Sequence, residues 1–143
     1  NLAANRIGNV TLMRRALGRP VAHAPSPPVS DTIDDLRLER LDWLKTGTRV
    51  AALEVLEGAS DTLWRLRPML CLAAADVQAL AVLAERVREY SYRCWRMEVP
   101  LFNPDNFNRR DNDLFAGRTA LALLAIPEEV DVDITFDHAV EVF

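Results

Sequence analysis

The chain has 143 residues, of which 50% are hydrophobic and 27% are charged, and its formal net charge is −4. This composition fits one globular domain, and no apolar run approaches the ~18 residues of a membrane span. The acidic balance, without an Arg/Lys run interleaved with aromatics, argues against a nucleic-acid partner. Cys71 and Cys94 lie in apolar or aromatic runs without CxxC spacing. We therefore expect reduced thiols and a cytoplasmic protein without nucleic-acid or membrane partners.

The first part of the chain alternates between extended and helical patterns. Residues 10–18 (VTLMRRALG) are apolar enough for a strand, and the four prolines within residues 19–31 predict an extended surface loop. A short helical turn follows, with Asp31 or Thr32 able to accept its first free N–H groups. Residues 41–46 (LDWLKT) then predict a short buried strand.

The second part continues this alternation and closes with a hairpin. Apolar residues at helical spacing from Ala52 predict one helix, which ends before the next strand. The continuous apolar run 68–74 predicts a parallel strand covered on both faces, and Asp76 is placed to cap the following helix. Residues 92–97 and 118–127 predict two further strands joined by a long loop. This order predicts an α/β layered domain with a mainly parallel sheet and a C-terminal antiparallel hairpin.

The last residues, 128–143, form an acidic strand or tail. Apolar and polar residues alternate from Val130 to Asp137, which is typical of a half-buried strand. Carboxylates two residues apart share one face, and with His138 nearby they suit a divalent metal ion. Acidic residues on an exposed strand also protect its edge from aggregation. We favour this second interpretation and predict no metal site.

Three stretches together resemble the FkbM-type family of S-adenosylmethionine-dependent methyltransferases. They are TIDDLRLERLDWLK, LEVLEGASDTLWRLRPML and YRCWRMEVPLFNPDNF…DLFAG…ALLAIP. Their spacing fits that family without gaps through most of residues 32–127, and the PLFNPDNF loop is not a generic pattern. The resemblance implies a class I methyltransferase fold, which is a Rossmann-like three-layer domain with strand order 3-2-1-4-5-7-6. Residues 1–127 would be a truncated domain holding strands three to seven, followed by the acidic tail 128–143.

The resemblance also implies S-adenosylmethionine as cofactor. The family's glycine-rich turn and first acidic residue belong to a part that these residues do not contain, and the sequence has no GxGxxG-like segment. We therefore predict no cofactor-binding residue, and binding of the cofactor by this chain is doubtful. The family's later acidic positions fall on Gly47, Arg49, Ala52 and Ala73. None of these side chains can act as a general base, so the catalytic residues are unknown.

Four polar residues are the candidates for the substrate side. Asn103, Asp105 and Asn106 offer donors and acceptors for a polyhydroxylated ligand. Such side chains more often hydrogen-bond their own loop, which is the stronger alternative. Lys45 falls on the family's lysine, and its alternative is a solvated residue at a strand end.

Two functions remain open at this point. The family O-methylates a hydroxyl of a sugar or another small metabolite, so the chain would be part of such an enzyme. Alternatively, it is a degenerate domain that binds a protein partner or has no retained role, and this is our preferred interpretation. Because strands one and two are absent, we expect residues 9–17 to pair directly with residues 41–46, or two chains to form a homodimer along that edge.

Overall fold

The computed structural model describes residues 2–13, 16–19, 31–47, 52–132, 134 and 139–142. Five strands are present in this part of the chain: β1 (Trp43–Lys45), β2 (Met69–Ala74), β3 (Tyr92–Pro100), β4 (Thr119–Pro127) and β5 (Ala139–Val142). The helices are α1 (Ala52–Glu57), α2 (Ser60–Leu66) and α3 (Val77–Arg88), preceded by a 3-10 turn at Asp34–Leu36.

The strands form one mixed sheet in the order β1-β2-β4-β3-β5. Only β1 and β2 are parallel, while β4 is antiparallel to β2 and to β3, and β5 is antiparallel to β3. The predicted C-terminal hairpin is confirmed as β3 and β4. The prediction of a mainly parallel sheet is wrong, because β4 returns between β2 and β3 and so replaces a parallel contact with two antiparallel ones.

This topology gives the sheet two distinct ends. Because β4 runs against both of its neighbours, β3 points in the same direction as β1 and β2. We call the end at which β1, β2 and β3 finish and β4 begins the carboxyl end. The opposite end, at which those three strands begin and β4 finishes, is the amino end.

The described helices cover one face of the sheet. In β2 the side chains alternate, so that Leu70 and Leu72 are fully buried while Met69 and Cys71 are half-buried on the second face. The main core joins the first set to residues of all three helices, among them Leu56, Leu63 and Val87. The second face has a smaller cluster: Trp95, Leu124 and Ile126, with Met69, Met97, Ile134 and Ala139 against it. The described elements therefore form two layers rather than the expected three.

The single helix predicted from Ala52 is broken at Gly58. A Cβ atom added to Gly58 would lie 2.1 Å from the carbonyl oxygen of Gly18. The backbone of the Gly18 segment therefore occupies the place of a side chain, and the N–H of Asp34 donates to the Gly58 oxygen at 3.0 Å. This close contact separates α1 from α2, which periodicity alone does not reveal.

Two acidic residues of the first helical turn organise the chain around this break. Thr32 and Asp35 bond reciprocally, since the Thr32 hydroxyl accepts from the Asp35 N–H at 3.1 Å and the Asp35 carboxylate accepts from the Thr32 N–H at 3.0 Å. The predicted role of Thr32 as a cap is thus confirmed. These bonds lower the pKa of Asp35. The Asp34 carboxylate accepts from the N–H groups of Asp61 and Thr62, and so caps α2 from outside it.

The strand predicted before the proline-rich loop does not form in the described residues. Residues 10–13 and 16 lie outside any strand, and Leu17 forms an isolated parallel bridge with Asp31. None of them pairs with β1, so the expected direct pairing of residues 9–17 with residues 41–46 is absent there. The prolines at 20, 25, 27 and 28 lie outside the described residues.

In the described part of the tail, the strand lies after the alternating pattern. Residues 130–132 and 134 are not in a strand, and β5 begins at Ala139. Of the predicted metal or edge pattern, Asp131 is described and exposed, whereas Asp133, Asp137 and His138 lie outside the described part. Among the described helices, none is long and apolar enough to cross a membrane.

Candidate functional site

The turn after β1 is the place where the resemblance expects chemistry, and Thr46 organises it. Thr46 is only 5% exposed. Its backbone N–H donates to the oxygen of Cys71 at 3.0 Å, and its hydroxyl accepts from the N–H of Ala73 at 3.1 Å. The side chain therefore ties the end of β1 to the end of β2. It also occupies the backbone donor of Ala73.

The acidic positions of the family are apolar or empty in the described structure. Gly47 is exposed, and a Cβ atom placed on it would meet nothing within 4 Å. Ala52 is buried at the start of α1, and Ala73 is half-buried on the second face of the sheet. Arg49 lies outside the described residues. The structure thus brings Gly47 and Ala73 to the same end of the sheet, but neither provides a group that can move a proton.

The nearest carboxylate in sequence at this end has a structural task. Asp76 follows β2, and its Oδ1 accepts from the N–H of Ala79 at 2.8 Å. It is the N-cap of α3, as predicted. Lys45, one of the substrate-side candidates, is exposed and lies opposite Cys71 in the β1–β2 register.

The remaining candidates lie in the loop between β3 and β4, also at the carboxyl end. Asn103 accepts from the Asp105 N–H at 2.9 Å and donates to the Asp105 carbonyl at 3.1 Å. Asn106 donates to the carbonyls of Asn103 and Arg110, and accepts from the Arg110 N–H at 3.1 Å. These are the loop-shaping bonds of the alternative interpretation. The Asp105 carboxylate is exposed.

A shallow depression of about 280 Å³ lies beside this loop. Its walls include the apolar side chains of Leu101, Leu114 and Phe115, together with Asn103 and Asn106. Because the amides of Asn103 and Asn106 already bond to the loop backbone, they offer few free donors to a sugar. The structure brings these two candidates together in the loop between β3 and β4, whereas Thr46 and Gly47 follow β1.

The amino end of the sheet holds a charged and aromatic cluster that the sequence analysis missed. Arg67 donates to both carboxylate oxygens of Glu129, at 2.7 and 2.8 Å, and to the carbonyls of Tyr90 and Ser91. Its guanidinium group also lies 4.8 Å from the centre of the Tyr92 ring. The hydrogen bond from Arg67 lowers the pKa of Glu129 to about 2. These partners are 62 positions apart at most, so no local motif signals them.

A cavity of about 500 Å³ opens next to this cluster. It is lined by Tyr92 and Cys94 and by charges of both signs, including Arg88, Glu128 and Glu141. Burial raises the pKa of Tyr92 to about 12 and the pKa of Cys94 to about 11. Both groups therefore stay protonated at neutral pH and cannot act as a phenolate or thiolate nucleophile.

The polar groups described at the carboxyl ends of β1 and β2 are bonded within the chain. Of these, the Asp76 carboxylate accepts from the N–H of Ala79, and the N–H of Ala73 donates to the Thr46 hydroxyl. No group of three His, Cys, Asp or Glu residues that could hold a metal ion occurs in the described parts of the chain. Comparisons of the sequence and the structure with family models, curated proteins and solved structures found no match.

Proposed function

We propose that the chain is a methyltransferase-like domain of the FkbM type that does not itself transfer a methyl group. The observation that carries this proposal is the strand order. The resemblance assigns β1, β2, β3 and β4 to strands four, five, six and seven, which the family sheet arranges as 4-5-7-6. The order β1-β2-β4-β3, with β4 antiparallel to both neighbours, supports this assignment. Sequential strands in a simple βαβ series would not produce this reversal.

Packing also supports the proposal. Residues that match the family are mostly buried here: Val55, Leu56, Gly58, Ala59, Leu63 and Leu70. The positions that differ from the family are instead those that would carry chemistry, at Gly47, Ala52 and Ala73. A sequence of this kind keeps its core while its catalytic groups are replaced.

The alternative, O-methylation of a sugar or small-metabolite hydroxyl by this chain, has weaker support. Such a transfer gains from a base close to the hydroxyl and from groups that align it with the methyl donor. Gly47 and Ala73 provide neither. We therefore favour a non-catalytic interaction domain. The proposal keeps the cytoplasm as its compartment, because Cys71 and Cys94 are free thiols.

A calorimetric titration with S-adenosylhomocysteine tests the catalytic part of this proposal. We expect no binding heat up to ligand concentrations on the order of 1 mM, which corresponds to an affinity too weak for a cofactor site. An active class I methyltransferase titrated in the same buffer provides the positive control. One-to-one binding in the micromolar range would mean that the chain contains a cofactor pocket, and the proposal would then be wrong.

The family assignment needs a separate test, since an unrelated fold would also fail to bind. Cross-strand nuclear Overhauser effects of the labelled chain report strand order directly. We expect contacts of Leu124 with both Cys71 and Trp95, as the registers require. Direct contacts between β2 and β3 would contradict the 4-5-7-6 arrangement and with it the family assignment.

A further inference from the structure

The outer edge of β1 has no partner among the described residues, and its backbone groups are directed for pairing. The N–H of Met69 donates to the carbonyl of Asp42, and the N–H of Thr46 donates to the carbonyl of Cys71. The backbone groups of Asp42 and Thr46 therefore point towards β2. Because the direction alternates along a strand, those of Trp43 and Lys45 point away from it, towards the open edge. Two residues thus present two donors and two acceptors.

The side chains of the same two residues are exposed on the second face of the sheet. Trp43 is 52% exposed, and Lys45 is also exposed, whereas Leu44 between them packs into the main core. An indole ring and an ammonium group attract each other when the cation lies over the ring. Among the described residues, the cation–ring contacts involve Trp64, Tyr90, Tyr92 and Trp95, and none involves Trp43 or Lys45.

We propose that two copies of this chain pair through β1, antiparallel, about a two-fold axis at Leu44. In this register Trp43 of each copy lies opposite Lys45 of the second copy. The outward backbone groups of these residues then form four hydrogen bonds, and Leu44 faces its own copy across the axis as a non-hydrogen-bonded pair. Directly opposed residues of antiparallel strands have Cβ atoms ~5 Å apart, so the indole of each Trp43 meets the ammonium group of Lys45 in the second copy.

The second copy is favoured over other partners because this edge is complementary to itself only in the two-fold arrangement. If the same two edges paired in parallel, one copy would be turned over about its strand axis, and its Trp43 and Lys45 would lie on the face of the joined sheet opposite to those of the first copy. In the antiparallel arrangement both copies keep these side chains on one face, so each lysine is placed beside an indole ring of the second copy. A closed isologous dimer uses both β1 edges at once and leaves none for a third chain.

The contact is short, so we expect a weak dimer. A three-residue strand with its neighbouring side chains lies at the small end of specific interfaces, and a dissociation constant in the micromolar range is expected. The inference depends only on the edge of β1. It does not rest on the proposed function, so binding of S-adenosylhomocysteine would leave it standing.

Sedimentation equilibrium of the 143-residue chain tests the inference, with four proteins compared at concentrations on the order of 100 μM. The wild type should approach twice the monomer mass of 16.1 kDa. Trp43→Lys places a second ammonium group opposite Lys45 at both ends of the contact. This repulsion should weaken association by ~10-fold or more. The double variant Trp43→Lys/Lys45→Trp again places one indole opposite each ammonium group, with the two positions exchanged, and should restore the dimer. Val140→Lys alters a residue that is 65% exposed on β5, the other edge strand, and should dimerise like the wild type.

Circular dichroism of each variant shows that it is folded, because Trp43 and Val140 are exposed and neither substitution disturbs the core. A wild-type chain that stays monomeric at the highest concentration would overturn the inference. So would a folded double variant that fails to dimerise, because the Trp–Lys pairing would then not be responsible. Loss of the dimer in Val140→Lys but not in Trp43→Lys would assign association to β5 and would equally contradict the proposal.

Discussion

The two ends of the sheet use their side chains differently. At the carboxyl end, Gly47 borders open space, and Thr46 closes the gap between β1 and β2 with a hydroxyl. At the amino end, Arg67 connects the start of β2 to the start of β3 and to Glu129 after β4. The connection between α1 and α2, which leads the chain back towards β2, is packed against the Gly18 backbone.

This difference shows that the position of a site and the position of strong interactions need not coincide. The carboxyl ends of strands are where α/β proteins commonly bind ligands. In this chain the contacts of Arg67 with Glu129, Trp64 and Tyr92 lie instead at the amino end, where they hold elements together. We therefore expect substitutions near the amino end and the α1–α2 connection to affect stability far more than substitutions at the carboxyl end.

The largest effect should come from a pair of glycine substitutions. Gly58→Ala places a methyl group where the Gly18 oxygen would lie 2.1 Å away, so the backbone must move. We expect a loss of about 3 kcal/mol in the free energy of unfolding. Gly47→Ala adds the same group to open space and should change it by less than about 0.5 kcal/mol. Urea unfolding followed by circular dichroism measures both, and similar losses in the two variants would break the comparison.

A smaller effect is expected from a pair of arginine substitutions. Arg67→Ala removes bonds to two carbonyls and to Glu129, which should cost about 2 kcal/mol. Arg118→Ala is the matched control at the carboxyl end, because Arg118 donates to the carbonyl of Phe115 alone and is exposed. It should cost about 0.5 kcal/mol or less. Chemical denaturation at neutral pH measures the free energy of unfolding of both variants. An equal loss would show that the amino-end cluster stabilises the fold no more than the carboxyl-end contact does.

The sequence predicted the order of most elements because their signals are local. Periodicity gave β2 and the region of α1 and α2, and Asp76 was placed correctly as a cap because capping acts over three residues. The antiparallel hairpin of β3 and β4 was also anticipated. The mainly parallel sheet was the wrong prediction. The pattern within single strands does not show that β4 lies between β2 and β3, and only the order 4-5-7-6 implied by the resemblance contains that insertion, since strand order depends on contacts between distant segments.

The candidate site shows the same limit. The sequence indicated that Gly47, Ala52 and Ala73 lack catalytic groups. It also favoured a loop-shaping role for Asn103 and Asn106, whose amides bond to their own loop. It gave no indication of Arg67, because its partner Glu129 is 62 positions away. The break at Gly58 was missed for the same reason, since the Gly18 backbone that requires it belongs to another part of the chain.

The smallest expected effect is a pH dependence at the amino end. The bond from Arg67 lowers the pKa of Glu129 to about 2, from an ordinary value of 4.5. A carboxyl group whose pKa is lower in the folded state stabilises the fold above the unfolded value, and this contribution is lost as the pH falls from about 4.5 to about 2. Because the Glu129 side chain is 55% exposed, solvent screens the pair and the contribution should be only about 0.5 kcal/mol.

Glu129→Gln isolates this contribution from the other titrating groups. The amide keeps an acceptor for Arg67 but carries no charge, so the wild type should exceed the variant in stability at pH 7. The difference should shrink through pH 4 and become small near pH 2, where the carboxyl group is protonated in the unfolded chain and about half protonated in the folded one. Paired urea titrations at these values measure it, because all other groups are common to both proteins and cancel. A difference that stays constant with pH would mean that the charge of Glu129 does not stabilise the amino end, and that the cluster depends on the carbonyl bonds of Arg67 alone.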